Sequence, residues 1–170
     1  RGAGYRTQLS GKWHVGGDYQ LKQPETWSPR DAEHPIPTQR GFEHFFGTLT
    51  GAGSFFAPPT LMDGETPLTV DHDGFYYTDE ITNHAVRMIE ESAMGSAPFF
   101  SYVAYTAPHW PLHALEDDIE KYRGVYNGGW DELRRSRHAK LKGLGILDSS
   151  WELAPRDRDS IAWEDAEHKK

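Results

Sequence analysis

The sequence predicts an α/β fold in which a mostly parallel sheet is flanked by helices. Three observations carry this reading. Residues 77–93 place Ile81, Ala85, Met88 and Ile89 on one helical face. Residues 98–105 follow as an almost continuous apolar and aromatic run, the pattern of a strand buried on both faces. The polar segments Gly11-Lys12-Trp13-His14 and Pro108-His109-Trp110-Pro111 both come directly after predicted strands. Ligands of open α/β sheets collect at the carboxyl ends of strands.

The elements follow in order. Arg1-Gly2-Ala3-Gly4-Tyr5 reads as the end of a helix, with glycine for the left-handed position after it. Residues 5–11 form a short strand with Tyr5, Thr7 and Leu9 on alternate positions. Residues 18–40 hold Pro24, Pro29, Pro35 and Pro37 and read as a long surface loop. The aromatic cluster of residues 41–47 lies between glycines and fits a buried turn or a short strand. Residues 51–74 are rich in Gly, Pro, Asp and Thr and predict loops, with at most a short hairpin within 61–70. Thr78 is the expected N-cap of the 77–93 helix. Asp79 and Glu80 suit its positive end, and Gly95 and Pro98 stop it. Residues 116–126 and 130–144 predict two exposed helices, the second with Arg134, Arg135, Arg137 and Lys140 on a solvated face. Residues 148–170 are polar with weak periodicity, and no internal repeat is visible.

Composition narrows the function. The 170 residues carry 18 basic and 26 acidic side chains, a net charge of −8, which argues against binding a phosphate backbone. There is no cysteine, so disulfides, thiolate metal sites and a cysteine nucleophile are excluded. No stretch approaches the ~18–20 apolar residues of a membrane span. Neither a nucleic acid nor a membrane is therefore an expected partner.

Two constellations can carry chemistry. On an extended backbone, Lys12 and His14 project to one side and Trp13 to the other. A lysine and a histidine together suit an anionic group and a proton transfer beside it, with Trp13 as the anchor. Taken alone, these residues fit an exposed lysine and a satisfied histidine at a strand edge better than a site. The second constellation is Ala107-Pro108-His109-Trp110-Pro111-Leu112-His113. Its prolines fix a loop around His109, as a catalytic histidine requires. His109 and His113 are four apart, but Pro111 argues against a helix and no carboxylate completes a zinc pattern. Asp71-His72-Asp73-Gly74 lacks the spacing of a calcium loop and reads as a turn. Gly51-Ala52-Gly53 is not a phosphate loop, since no GK[ST] follows it.

In combination these stretches resemble the type I sulfatases, particularly bacterial arylsulfatases. The resemblance rests on Gly4-Tyr5-Arg6-Thr7 leading to Gly11-Lys12-Trp13-His14-Val15-Gly16, then Arg40-Gly41-Phe42-Glu43-His44-Phe45-Phe46-Gly47, then Tyr76-Tyr77-Thr78-Asp79, then the run from Pro98 through Ala107-Pro108-His109-Trp110-Pro111-Leu112. It spans about residues 1–165. It implies an alkaline-phosphatase-like α/β fold and hydrolysis of a small-molecule or glycan sulfate ester, with a formylglycine nucleophile and a calcium ion. It further implies that Lys12 contacts the sulfate oxygens and that His14 serves the formylglycine diol. His109 is implied to lie at the ester oxygen, binding substrate and stabilising or protonating the leaving group. A periplasmic or secreted setting is compatible with it.

The departures are as informative. The family's nucleophile motif, C/S-x-P/A-x-R, is absent, and Ser28-Pro29-Arg30 has the wrong spacing. The acidic calcium ligands belong to stretches that flank this one in the family, so no metal ligand is assigned within it. The chain thus reads as an internal fragment, residues 1–170 being a partial catalytic domain, inactive alone and poorly stable. Two alternatives accompany this reading. One is a phosphoesterase or phosphonate hydrolase of the same superfamily. The other is a non-catalytic carbohydrate-binding module, in which Lys12, His14 and His109 need not converge.

Overall fold

A computed structural model describes residues 1–17, 28–71 and 73–167. The chain forms two compact units, Arg1–His113 and Ala114–Lys170. Residues 18–27 of the proline-rich loop, and His72 of the Asp71–Gly74 turn, lie outside the described residues.

The first unit is an α/β layer. Its strands are β1 (Arg6–Gly11), β2 (His44–Thr48), β3 (Leu61–Asp63), β4 (Thr66–Pro67) and β5 (Phe99–Ala104), with helix α1 (Tyr77–Ala93) between β4 and β5. The sheet order is β4-β3-β2-β1-β5. β1 runs parallel to both β2 and β5. The β3–β4 hairpin adds two antiparallel pairings, so the sheet is mixed, with a parallel centre. The hairpin falls inside the 61–70 window expected for it. The aromatic cluster of 41–47 resolves as the strand β2.

Side chains alternate across the sheet as strand geometry requires. Phe46 and Leu61 face α1 and pack with Phe55, Phe75, Tyr77, Ile81 and Met88. Their neighbours Phe45 and Met62 turn the other way and pack with Leu9, Ile36 and Leu49. β1 contributes polar residues to the α1 side. Ser10 Oγ donates to the Ile81 carbonyl at 2.7 Å, and Ser92 Oγ donates to Gln8 Oε1 at 3.3 Å. Both bonds are buried, so the central strand meets the helix through polar contacts, with Gln8 Nε2 left buried and, among the described residues, without a hydrogen-bond partner.

Three expectations are corrected by the structure. β5 is not buried on both faces. Among the described residues it pairs only with β1, and Phe99, Phe100 and Tyr102 are 37%, 53% and 48% exposed. An apolar run specifies a strand but not its place in the sheet, which pairing decides. The N-cap of α1 is Tyr76, not Thr78, and no side chain caps that end. His14 has φ 53°, so the chain leaves the extended form there, and Lys12 and His14 do not continue a strand alternation. Gly4 is left-handed at φ 79°, as the opening turn demands.

The second unit holds α2 (Glu116–Glu120) and α3 (Gly129–Gly143). The helix expected over 116–126 stops early, and the chain turns through Gly124 at φ 77°, a conformation that L residues avoid. The basic face of α3 is not simply solvated. Arg134 donates to the Ala154 carbonyl, His138 Nε2 to that of Trp151 and Lys142 Nζ to that of Ser149. The aperiodic tail is therefore laid along α3 by its own carbonyls, and Trp130 meets Trp163 edge to face at 4.9 Å. No helix among the described residues is long and apolar enough to cross a membrane.

Candidate functional site

The site is built at the carboxyl ends of β1, β2 and β5. The segment after β1 stays bonded to both neighbours. The Lys12 amide donates to the Ala104 carbonyl at 2.8 Å, closing on the end of β5. The Trp13 and His14 amides donate to the Thr48 and Leu49 carbonyls at 2.9 and 3.0 Å, closing on the end of β2. Lys12 and His14 are thereby fixed by main-chain bonds, without relying on their side chains.

Close backbone approach makes this possible. A Cβ on Gly11 would stand 2.0 Å from the Ala104 oxygen, and one on Gly47 would stand 1.8 Å from the Gly11 oxygen. Gly51 carries the imidazole of His14 on its bare Cα; a Cβ there would lie 2.3 Å from the ring. Trp13 turns inward. Its Nε1–H donates to the Pro35 carbonyl at 2.9 Å, and its ring meets Phe42 edge to face at 6.2 Å beside the Leu9–Phe45 core. The indole thus locks the two residues that flank it.

His109 lies on the loop that leaves β5. Thr106 is buried at the loop's start, and Ala107 packs against the core over α1. The His109 amide donates to the Thr106 carbonyl at 2.9 Å, and its Nδ1 bonds the Trp110 carbonyl at 3.0 Å, so Nδ1 bears the proton. His109 and Trp110 are exposed, and the loop presents them outward. At its far end His113 turns back. Its Nδ1 accepts the Phe55 amide at 3.2 Å, and its ring packs against Phe56 at 5.4 Å. The two histidines of this loop therefore have separate partners and do not form a metal pair. Among the described residues, no three His, Asp or Glu side chains gather where a metal could be held.

The structure thus roots Lys12, His14 and His109 at one end of one sheet, on the adjacent strands β1 and β5. Sequence reasoning weighs Gly51 only as part of a phosphate loop and His113 only as a zinc ligand, sets both aside, and does not foresee their contacts with His14 and Phe55. The signals are there, a Gly-x-Gly after an aromatic strand and a second histidine after the prolines. As motifs they match neither a phosphate loop nor a zinc site, and their contacts are not local in sequence. Unit two has a cavity of about 610 Å³ between α3 and residues 155–161, bordered by Trp130, Arg134 and Arg156. None of the motif residues lines it.

Comparison with known proteins gives this geometry a family. The sulfatase family profile matches residues 1–152. An arylsulfatase of Klebsiella aerogenes is 32% identical over 95% of this chain and 34% of its own. An uncharacterized sulfatase of Schizosaccharomyces pombe is 33% identical over 91% of this chain and 28% of its own. Mouse arylsulfatase J is 30% identical over 86% and 23%. The chain therefore spans about a third or less of these relatives' lengths. A crystal structure of Ps i-CgsB in complex with k-i-k-neocarrahexaose superposes with a TM-score of 0.53 at 25% identity, covering 71% of this chain and 28% of that one. The fold is the alkaline-phosphatase-like α/β class, present in part, and with the profile covering most of its length the chain belongs to the sulfatase family.

Proposed function

We propose that this chain forms one wall of the active site of a sulfuric ester hydrolase acting on a small aromatic or glycan sulfate ester. The observation that carries the reading is the Lys12 amide bonded to the Ala104 carbonyl, which brings the Lys12–His14 segment beside the strand that leads to His109. Lys12 supplies a fixed positive charge for the sulfate oxygens. As the sulfur–oxygen bond breaks, charge builds on the ester oxygen; with its Nδ1–H held by the Trp110 carbonyl, His109 would stabilise or protonate that oxygen through Nε2, as the imidazolium. His14 holds and moves a proton at the nucleophile. A formylglycine nucleophile and a calcium ion that polarises the sulfate belong to this proposal. The described residues provide neither; Lys12 and His109 act on the sulfate ester itself, whereas His14 would act beside that nucleophile. The substrate class is supported by the relative named as an arylsulfatase and by the neighbour whose crystal structure is in complex with k-i-k-neocarrahexaose.

The test is turnover of p-nitrophenyl sulfate and p-nitrophenyl phosphate by the protein that carries this chain. Sulfate turnover should dominate, and Lys12→Ala and His109→Ala should each lower kcat/KM by ~10²-fold or more. Preferential phosphate turnover would move the assignment to the phosphoesterase branch. Full activity in both variants would remove these residues from the site.

A further inference from the structure

Residues 51–55 touch both motifs. At one end Gly51 lies under the His14 imidazole. At the other, the Phe55 amide donates to His113 Nδ1 at 3.2 Å. Between them are four peptide units. The stretch is itself tied to the fold, because Phe55 is 1% exposed in the core and its carbonyl accepts the Tyr77 amide at 2.7 Å, at the start of α1.

We propose that residues 51–55 are a brace between the two catalytic histidines, and that His113 is the positioning residue through which the brace holds the His109 loop. This rests on the assignment of His14 and His109 above. The loop needs such a hold. The bonds of His109 to Thr106 and Trp110, and of the His113 amide to the Pro111 carbonyl, are all within the loop. They shape it without attaching it. Attachment comes at its ends, from buried Thr106 and partly buried Ala107 on one side and His113 on the other. His113 meets the body at three places. Its Nδ1 takes the Phe55 amide, its ring packs against Phe55 and Phe56, and its carbonyl receives the Tyr76 hydroxyl at a long 3.5 Å.

The chemistry sets the tautomer. A backbone amide can only donate, so His113 Nδ1 must present its lone pair and the ring proton must sit on Nε2. His109 is the opposite, since its Nδ1 donates to a carbonyl. A brace built on an imidazole lone pair is specific. Asparagine places an oxygen near the Nδ1 position and can keep the bond, whereas leucine fills the space and leaves the Phe55 amide without its acceptor.

The experiment compares wild type, His113→Asn and His113→Leu in the protein carrying this chain. Ring ¹⁵N shifts should show His113 as the Nε2–H tautomer, and the Phe55 amide should exchange slowly with solvent. In His113→Leu, Phe55 exchange should quicken and the His109 ring signals should move, while His113→Asn stays close to wild type in both. For an aryl sulfate, His113→Leu should lose about 10- to 100-fold in kcat with KM changed less than about threefold, and His113→Asn should recover most of it. A Nδ1–H tautomer for His113, or a folded His113→Leu with unmoved His109 signals and wild-type kcat, overturns the proposal. If His113→Leu does not fold, the tautomer, the Phe55 exchange and His113→Asn decide it. If the wild type has no sulfatase activity, the functional assignment fails, and the tautomer and exchange data still judge the brace.

Discussion

The imidazole of His14 lies on the Cα of Gly51, so closely that a Cβ at position 51 would come within 2.3 Å of Cε1 and 2.4 Å of Nδ1. His14 is also left-handed, at φ 53°, a conformation that non-glycine residues seldom adopt. Such outliers persist where the surroundings over-determine them. At this position the Leu49 carbonyl holds the His14 amide and Gly51 makes room for the ring. Gly51→Ala should therefore push the ring away while costing about 1–3 kcal/mol in stability. In the enzyme, kcat should fall by roughly 10²-fold, because small displacements of a catalytic group have effects of that size. Kinetics and urea denaturation of the variant test both halves; wild-type kcat in a folded Gly51→Ala protein rules the contact out as a functional one.

Gly11 and Gly47 should tolerate a side chain even less. The Cβ of an alanine at 47 would overlap the Gly11 oxygen at 1.8 Å, and one at 11 would overlap the Ala104 oxygen at 2.0 Å. Both glycines have positive φ, 153° and 121°. The opposing atoms are backbone, so no rotamer change relieves the contact. Gly11→Ala must separate β1 from β5 and with it the Lys12–Ala104 bond, and Gly47→Ala must separate β2 from β1. A loss of about 3 kcal/mol or more is expected, at the upper end for overpacking. Denaturant midpoints within experimental scatter of wild type would contradict the close approach.

Tyr77 closes the inner end of β2. Its hydroxyl accepts the Thr48 amide at 2.8 Å and donates to Thr48 Oγ1 at 3.2 Å, all buried. Burial pushes its pKa up to about 12, more than the Thr48 hydrogen bonds pull it down. Tyr77→Phe keeps the ring and removes the partner of a buried amide, so it should cost about 1–3 kcal/mol. The sign with pH follows. Between about 10 and 12 the unfolded chain has lost the phenol proton and the folded chain keeps it, so stability falls as pH rises through that window. Denaturation at pH 8 and pH 11 should show a steeper alkaline loss in wild type than in Tyr77→Phe.

Much of this was legible in the sequence where the cause is local. The spacing of Ile81, Ala85 and Met88 marks the buried face of α1, and all three are buried. Ile89 shares that spacing but is 37% exposed, because the sheet covers a narrower stripe than the periodicity allows. The turn chemistry of residues 61–70 gave the hairpin its window. What was not legible depends on pairing between distant segments. The edge position of β5 follows from which strand claims β1, and the Trp13–Pro35 bond joins residues 22 apart. The left-handed His14 is of the same kind, since Leu49 and Gly51, both distant in sequence, bond its amide and make room for its ring. Motifs at strand ends thus marked Lys12, His14 and His109, while the contacts that hold them, Gly51 and His113 above all, emerged only in three dimensions.

His84 sits on α1 against the sheet and should make stability depend on pH in the acid range. Its ring stacks on Phe46 at 3.4 Å between centroids and 10° between planes, and Arg87 donates to its Nδ1 at 2.8 Å. An accepting Nδ1 fixes the neutral ring. Burial lowers its pKa from the ordinary value near 6.5, Arg87 lowers it further, and Asp63 and Glu80 oppose this more weakly. The unfolded chain therefore binds a proton at His84 at a pH where the folded chain does not, and stability must rise with pH there. The penalty is absent well above pH 6.5. It grows as pH falls below that value and levels off once folded His84 is also protonated. His84→Phe preserves the stack on Phe46 and cannot titrate, so it should lose less stability than wild type between pH 7.5 and pH 5.5. Urea denaturation of both proteins at the two pH values measures the difference. Equal acid losses would mean that the Phe46–His84 stack does not exclude the proton. A larger loss in His84→Phe would reverse the sign and place the folded-state pKa above 6.5.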